Sequence, residues 1–243
     1  MNKRLIIALA IILTVAPFGV KASTLDVNKT VFILSDRKLS ENAYIAGGQV
    51  TVSGAAEKDV VVAGGKVLLT APVKGDVLIL SGSADVLEGV DGDVRVMGGQ
   101  VTITKPIKGD LVVVAGMVTV LPTASVGGDV IIMGGTVDLG GDVAGQLDVN
   151  GADVNLNATV HGPATVHARD IVRIGEGAKF NSSLSYSSPK EALVADGAQL
   201  GTEVTYTQGG SIRHKEIPTS GKGLLLMIAA ILGALILVKF VGI

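Results

Sequence analysis

The chain of 243 residues has no cysteine and no tryptophan, and aromatic residues make up only 3% of it. Without cysteine there are no disulfides, no thiolate metal sites and no thiol nucleophile. With so few large rings, the interior must be filled by valine, isoleucine, leucine and alanine, which suits a narrow bore without a wide ligand cavity. A dominant charge is missing as well. The formal net charge is -2 with the signs interspersed, so there is no basic stripe to bind nucleic acid. What the chain does have is 33 glycines and 48% hydrophobic residues, and they are not scattered.

Five segments align at a spacing of 17 when each is started at Asn42, Asp59, Asp76, Asp93 or Asp110. The second position reads Ala43, Val60, Val77, Val94 and Leu111, and the fourth Ile45, Val62, Ile79, Val96 and Val113. The seventh is always glycine, from Gly48 to Gly116. The ninth reads Val50, Val67, Ala84, Val101 and Val118, the eleventh Val52, Leu69, Val86, Ile103 and Val120. The fifteenth is apolar again, in Ala56, Val73, Val90, Ile107 and Ala124. Between these lie Lys66, Gln100, Thr51, Thr102, Lys74, Asp91 and Lys108. Three short runs of period-two alternation per copy, set off by glycine or proline, describe an all-β coil with three flat sides and inward β-branched residues. One such coil cannot bury its own apolar face, but a stack of them can. The expected architecture is therefore a parallel β-solenoid of about 17 residues per coil. The seventh-position glycines are expected to turn with positive φ, and the Gly-Asp pairs at Asp76, Asp93 and Asp110 to bond local amides at another corner.

Beyond the fifth copy the register loosens. Gly128-Asp129 follows an insertion of two residues and Gly141-Asp142 comes early, while Val154, Leu156, Val160, Val166, Ile171, Val172 and Ile174 continue the alternation. Later, IGEGAKFNSSLSY from Ile174 pairs with VADGAQLGTEVTY from Val194, a spacing of 20. The solenoid is expected over residues 42–207, with 23–41 as an amino-terminal cap segment.

The ends carry location signals. Lys3 and Arg4 precede an apolar run from Leu5 to Val15, and Val20-Lys21-Ala22 suits a signal peptidase, so residues 1–22 read as a cleavable signal peptide. Residues 208–222 form a polar linker containing Arg213, His214 and Lys215. The apolar segment 223–243, broken by Lys239, is just long enough to cross a bilayer as a transmembrane helix if that lysine snorkels. The signal peptide puts the solenoid on the extracytoplasmic side of a bacterial cell membrane, held by a single pass.

The run GDVLILSGSADVLEGVDGDVRVMGGQVTITKPIKGDLVVVAGMVTV, with its recurrent Gly-Asp-Val and Val-x-Gly-Gly-x-Val units, resembles the bactofilin family of polymer-forming bacterial cytoskeletal proteins. The segments ending in Tyr186 and Tyr206 are similar to the carboxyl-terminal coils of envelope-anchored members. The resemblance spans residues 42–206. It implies a single-stranded, right-handed, three-sided parallel β-helix that polymerises end to end without nucleotide, and a scaffolding role. Bactofilins are typically cytoplasmic, whereas this chain has an export signal and a terminal apolar segment.

Candidates for catalysis are few. His161 and His167 sit six apart, with Asp153 or Asp170 as orienting carboxylates, and the two histidines are also a pair to hold a metal. A pair without a third ligand is usually surface chemistry, so no catalytic, cofactor or metal residue is assigned. The expected protein is a non-enzymatic scaffold that self-associates through its solenoid ends, with itself, the membrane and cell-envelope proteins or glycan as partners. The competing expectation is an extracytoplasmic module that binds or modifies glycan along a flat side.

Overall fold

The computed structural model describes residues 24–209 and, from Thr30 onward, their side chains. The strands are β1 (Thr24–Ile33), β2 (Ala43–Val52), β3 (Val60–Leu69), β4 (Val77–Val86), β5 (Val94–Ile103), β6 (Leu111–Val120), β7 (Ser125–Val126), β8 (Val130–Val143), β9 (Leu147–Val160), β10 (Ala164–Ile174), β11 (Lys179–Phe180), β12 (Leu184–Ser188), β13 (Leu193–Val194) and β14 (Val204–Gln208). They pair in parallel with the coil before and after, in one continuous sheet. The molecule is a parallel β-solenoid of about 11 turns with about 17 residues per turn.

Each column of the sequence alignment is a ladder. The second-position column runs Val60, Val77, Val94, Leu111, Val130, Leu147, Ala164, Leu184 and Val204. From Val60 to Leu184 its members are at most 2% exposed. The ninth and eleventh columns are buried in the same way, with Val101 and Ile103 at 0%. A third ladder of single bridges links Leu39, Ala56, Val73, Val90 and Ile107. Alternation buries one residue and exposes the next because successive side chains of a strand point to opposite faces. The cross-coil spacing of about 4.8 Å then lays valine on valine.

Residues 24–33, expected as a cap, pair residue by residue with β2 from Thr24↔Ala43 to Ile33↔Val52. They form the first turn of the stack. The first turn and the one beginning at Asp110 each carry two extra residues, and both place them between the eleventh and fifteenth columns. There, a backbone bond closes a small loop, Arg37 N–H to Leu34 O and Ala124 N–H to Leu121 O. As a result it is Val126, and not Ala124, that bridges to Ile107 in the fifteenth column. Ala124 is still buried, one step before it. The later 20-residue spacing is as read: Ile174 pairs with Val194, Leu184 with Val204 and Tyr186 with Tyr206.

The corners are built differently from the expectation. Among the described residues, only Gly141 has positive φ, at 87°. The seventh-position glycines are there for the stack. A Cβ at Gly82 would come within 2.8 Å of Gly65 O and one at Gly99 within 2.7 Å of Gly82 O. From Gly65 to Gly135 a side chain at this column would press on the carbonyl oxygen of the turn before.

Of the described residues, none forms a helix long and apolar enough to cross a membrane. The signal peptide (1–22), most of the linker (208–222) and the transmembrane helix (223–243) lie outside the described residues.

Candidate functional site

Two constructions on the outside of the solenoid gather polar side chains from several turns. The first is the corner ladder. Asn42 Oδ1 accepts the Asp59 N–H at 3.3 Å, Asp59 Oδ1 that of Asp76 at 3.0 Å, and Asp76 Oδ1 that of Asp93 at 3.1 Å. Asp93 accepts from Asp110 at 2.9 Å, Asp110 from Asp129 at 2.8 Å, and Asp129 from the Gln146 N–H at 2.8 Å. The carboxylates therefore bond the amide of the following turn, where local amides were expected. The Gly-Asp corner is thus a ladder between turns, running from Asn42 to Gln146. The preceding glycines leave room for it: a Cβ at Gly92, Gly109, Gly128 or Gly145 would strike the carboxylate oxygen Oδ1 of the turn below. A carboxylate accepting a backbone N–H is a charge-assisted bond, shorter and stronger than a neutral one.

Outside the ladder, lysines bridge to neighbouring turns. Lys58 pairs with Glu41 at 3.1 Å, Lys108 with Asp91 at 2.8 Å, and Glu57 takes both Lys74 at 2.7 Å and Lys38 at 3.0 Å. Those two hydrogen bonds, the Lys74 one the stronger, hold the Glu57 carboxyl below its ordinary pKa, and Glu57 in turn raises Lys74.

The second construction contains one of the histidines singled out in the sequence. His161 follows β9 at a corner. Its Nε2 lies 2.9 Å from Asp142 Oδ1 and its Nδ1 2.9 Å from Asn181 Nδ2. Since an amide nitrogen only donates, Nδ1 accepts, and the neutral ring must carry its proton on Nε2 and donate it to Asp142. Asp142, His161 and Asn181 come from three successive turns. Both ring nitrogens are engaged, and the imidazole and carboxylate side chains are 47% and 54% exposed. A general base needs a free ring nitrogen facing a substrate, and here Asn181 would have to leave first.

The structure does not join the other sequence candidates to it. His167 lies in β10 on a ladder between Asn150 and Ser187. Asp153 sits 3.8 Å from Arg173. Asp170 lies in the irregularity of β10 between Ala168 and Ile171. No group of three or more histidine, aspartate or glutamate side chains among the described residues is placed to hold a metal ion. The sequence reading missed Asp142 as the histidine's partner. The signal was its early arrival: Asp142 pairs with Thr159 and Ser125 on a different ladder from the corner aspartates, while Gln146 takes the corner place. Next to it an open groove of about 410 Å³ is lined by Pro106, Ile107, Lys108, Ser125, Val126, Gly127, Asp142 and Ala144.

No protein family model matches the chain, and no curated protein and no solved structure matches it either.

Proposed function

We propose that this protein is a non-enzymatic scaffold of the bactofilin kind: a right-handed, three-sided β-helix, exported and held at the outer face of the cell membrane by residues 223–243, that self-associates through the ends of its solenoid. The observation that supports this reading is the last described coil. Val194, Leu200 and Val204 are 46%, 36% and 43% exposed, at positions whose counterparts in the turn before, Ile174, Phe180 and Leu184, are buried. The last strand, β14, is paired on one side with β12, and among the described residues its other edge has no strand beside it. An edge of unpaired amides and carbonyls beside an apolar cross-section is a template for another copy's first or last coil. Membrane tethering raises the effective concentration for such contacts.

Electron microscopy of purified residues 23–222 tests it: filaments or end-joined rods are expected, and Val204→Asp should leave single rods. A segment that stays monomeric at high concentration would end the scaffold reading. The glycan-binding or glycan-modifying alternative draws on the groove beside the Asp142–His161–Asn181 column. Its lining has no aromatic ring to stack on a sugar face. Loss of an envelope activity on His161→Ala or His167→Ala, in a monomeric protein, would establish it.

A further inference from the structure

The outward columns of the first flat side are apolar over six consecutive turns, Arg95 excepted. The third-position column carries Tyr44, Val61, Leu78, Arg95, Val112 and Ile131. Two residues on, the fifth-position column carries Ala46, Ala63, Leu80, Met97, Val114 and Met133. Leu80, Ile131 and Met133 are 45%, 45% and 47% exposed. The one charge in the stripe is turned aside, because the Arg95 guanidinium pairs with Asp93 Oδ2 at 2.8 Å on the rim. Core packing cannot explain these residues, since the same turns already have a full inward set.

We propose that this stripe is a lateral interface with a second copy of the chain, the two solenoids lying side by side with their axes parallel. The rims decide the partner and its direction. One rim is the aspartate ladder, from Asp59 to Asp129. A row of carboxylates beside an apolar strip repels an anionic bilayer surface, which disfavours lipid as the occupant. The other rim, past the glycine corner, reads Gln49, Lys66, Ser83, Gln100, Met117 and Thr136, without a carboxylate. A twofold axis along the solenoid sets the aspartate rim of each copy against this second rim. A twofold axis across the solenoid would set aspartates on aspartates, and like charges face to face oppose association. The parallel arrangement also brings both carboxyl ends to the same side, as two chains anchored by residues 223–243 in one membrane require; this step rests on the anchoring proposed above.

The size of the stripe sets the strength. Six turns spaced about 4.8 Å apart, on a side about 15 Å wide, offer roughly 400 Å² per copy. That is about half of the roughly 800 Å² per partner found in standard stable interfaces. The pair therefore forms between tethered or end-joined copies and stays weak between free ones.

The natural chain has no cysteine, so single cysteines give a clean test in the full-length, membrane-embedded protein with a short bis-maleimide cross-linker. Ala46 and Met133 stand at opposite ends of the stripe, five turn spacings or about 24 Å apart. Ala46→Cys alone and Met133→Cys alone should each cross-link to itself. Thr102→Cys, on another side of the solenoid, should not. Adding Leu80→Asp and Met97→Asp should lower the cross-linked yield by about tenfold with the strand signal in circular dichroism unchanged. Val204→Asp, which tests the solenoid ends, should leave these cross-links in place. Cross-linking seen only when the Ala46→Cys and Met133→Cys chains are mixed would overturn the parallel arrangement. Yields no higher than those of Thr102→Cys, or adducts to a different protein, would overturn the second copy as occupant.

Discussion

Val94 and Val204 stand in the same inward column of the solenoid, six turns apart, yet Val94 is fully buried and Val204 is 43% exposed. The residue type is the same; the neighbours differ. Around Val94, ten-residue strands lie above and below in unbroken register. Around Val204 there is a five-residue strand with β12 on one side only among the described residues. The carboxyl turns also change their filling. Phe180, Tyr186 and Tyr206 replace valine and isoleucine, and the two tyrosine rings stack with centroids 5.1 Å apart. A solenoid's stability is a sum over neighbouring turns, so the same inward residue is core in the middle and interface at the end.

The largest effect should come from breaking the middle. Val94→Asp buries an uncompensated charge in a bore filled with side chains, at a cost of about 3–5 kcal/mol. Val204→Asp, half in solvent, should cost about 0.5 kcal/mol or less in the monomer, while still blocking association. Denaturant midpoints of residues 23–222 check both. Equal loss from the two changes would mean that the terminal turn is as tightly packed as the centre. Arg95→Ala, next in sequence but outward, removes only a surface pair and should cost less than about 1 kcal/mol.

Next come the glycines. A Cβ on Gly109 would strike Asp93 Oδ1 and lie 2.8 Å from Gly92 O, whereas one on Gly209 meets only Ser187 Oγ at 3.6 Å. Gly109→Ala should therefore cost about 1–3 kcal/mol by overpacking. Gly209→Ala should fall within about 0.5 kcal/mol of the parent. The same comparison shows which parts of this structure were readable beforehand. Period and columns were legible because a two-residue alternation and a fixed turn length leave the same residue types at the same offsets. Why glycine recurs was not: a stacking clash with Gly82 O and a left-handed backbone produce the same letter, and the structure assigns the first to Gly99.

Two other features were harder to see for related reasons. The first turn has the right alternation in Val31, Phe32, Ile33 and Leu34, but its two extra residues break the 17-residue offset. The same slip at Leu121–Ser125 put Ala124 where Val126 belongs. The apolar outward stripe was present in the aligned columns all along, in Leu80, Met97 and Met133, but inward residues draw the attention of any pattern built on burial. The Asp142–His161 contact is diagonal, because Asp142 is in register with Thr159 and reaches two residues past it to the histidine, and no spacing in the sequence announces it.

A smaller effect belongs to the aspartate ladder. Asp93→Ala removes the acceptor of the Asp110 N–H and should cost about 1 kcal/mol. Asp93→Asn keeps an acceptor oxygen and should recover most of it. In the carboxyl region, Asn157 does the same work for the Gly177 N–H at 2.8 Å, so Asn157→Ala should show a loss of similar size in thermal melts. A silent Asp93→Ala would reduce the ladder to decoration.

The smallest effects are ionisations, and they have opposite signs at the two ends. Near the amino end, Lys74 and Lys38 hold Glu57 below its ordinary pKa. Its contribution to stability is present above the ordinary carboxylate range and is lost as pH falls through the lowered value. Lys74→Ala should move the Glu57 titration back up in a carbon-detected NMR titration. At the carboxyl end, partial burial first, and then Glu191 and Tyr186, push the Tyr206 phenol above its ordinary pKa. Its folded form holds the proton more tightly than the unfolded chain, so this contribution is present below the ordinary phenol range and is lost as pH rises through the raised value. The chain has three tyrosines. Absorbance titration should therefore show a late component that Tyr206→Phe removes. If Tyr206→Phe leaves the late component in place, the terminal coil does not shield its ring, and the last turn is looser than the stacking against Tyr186 requires.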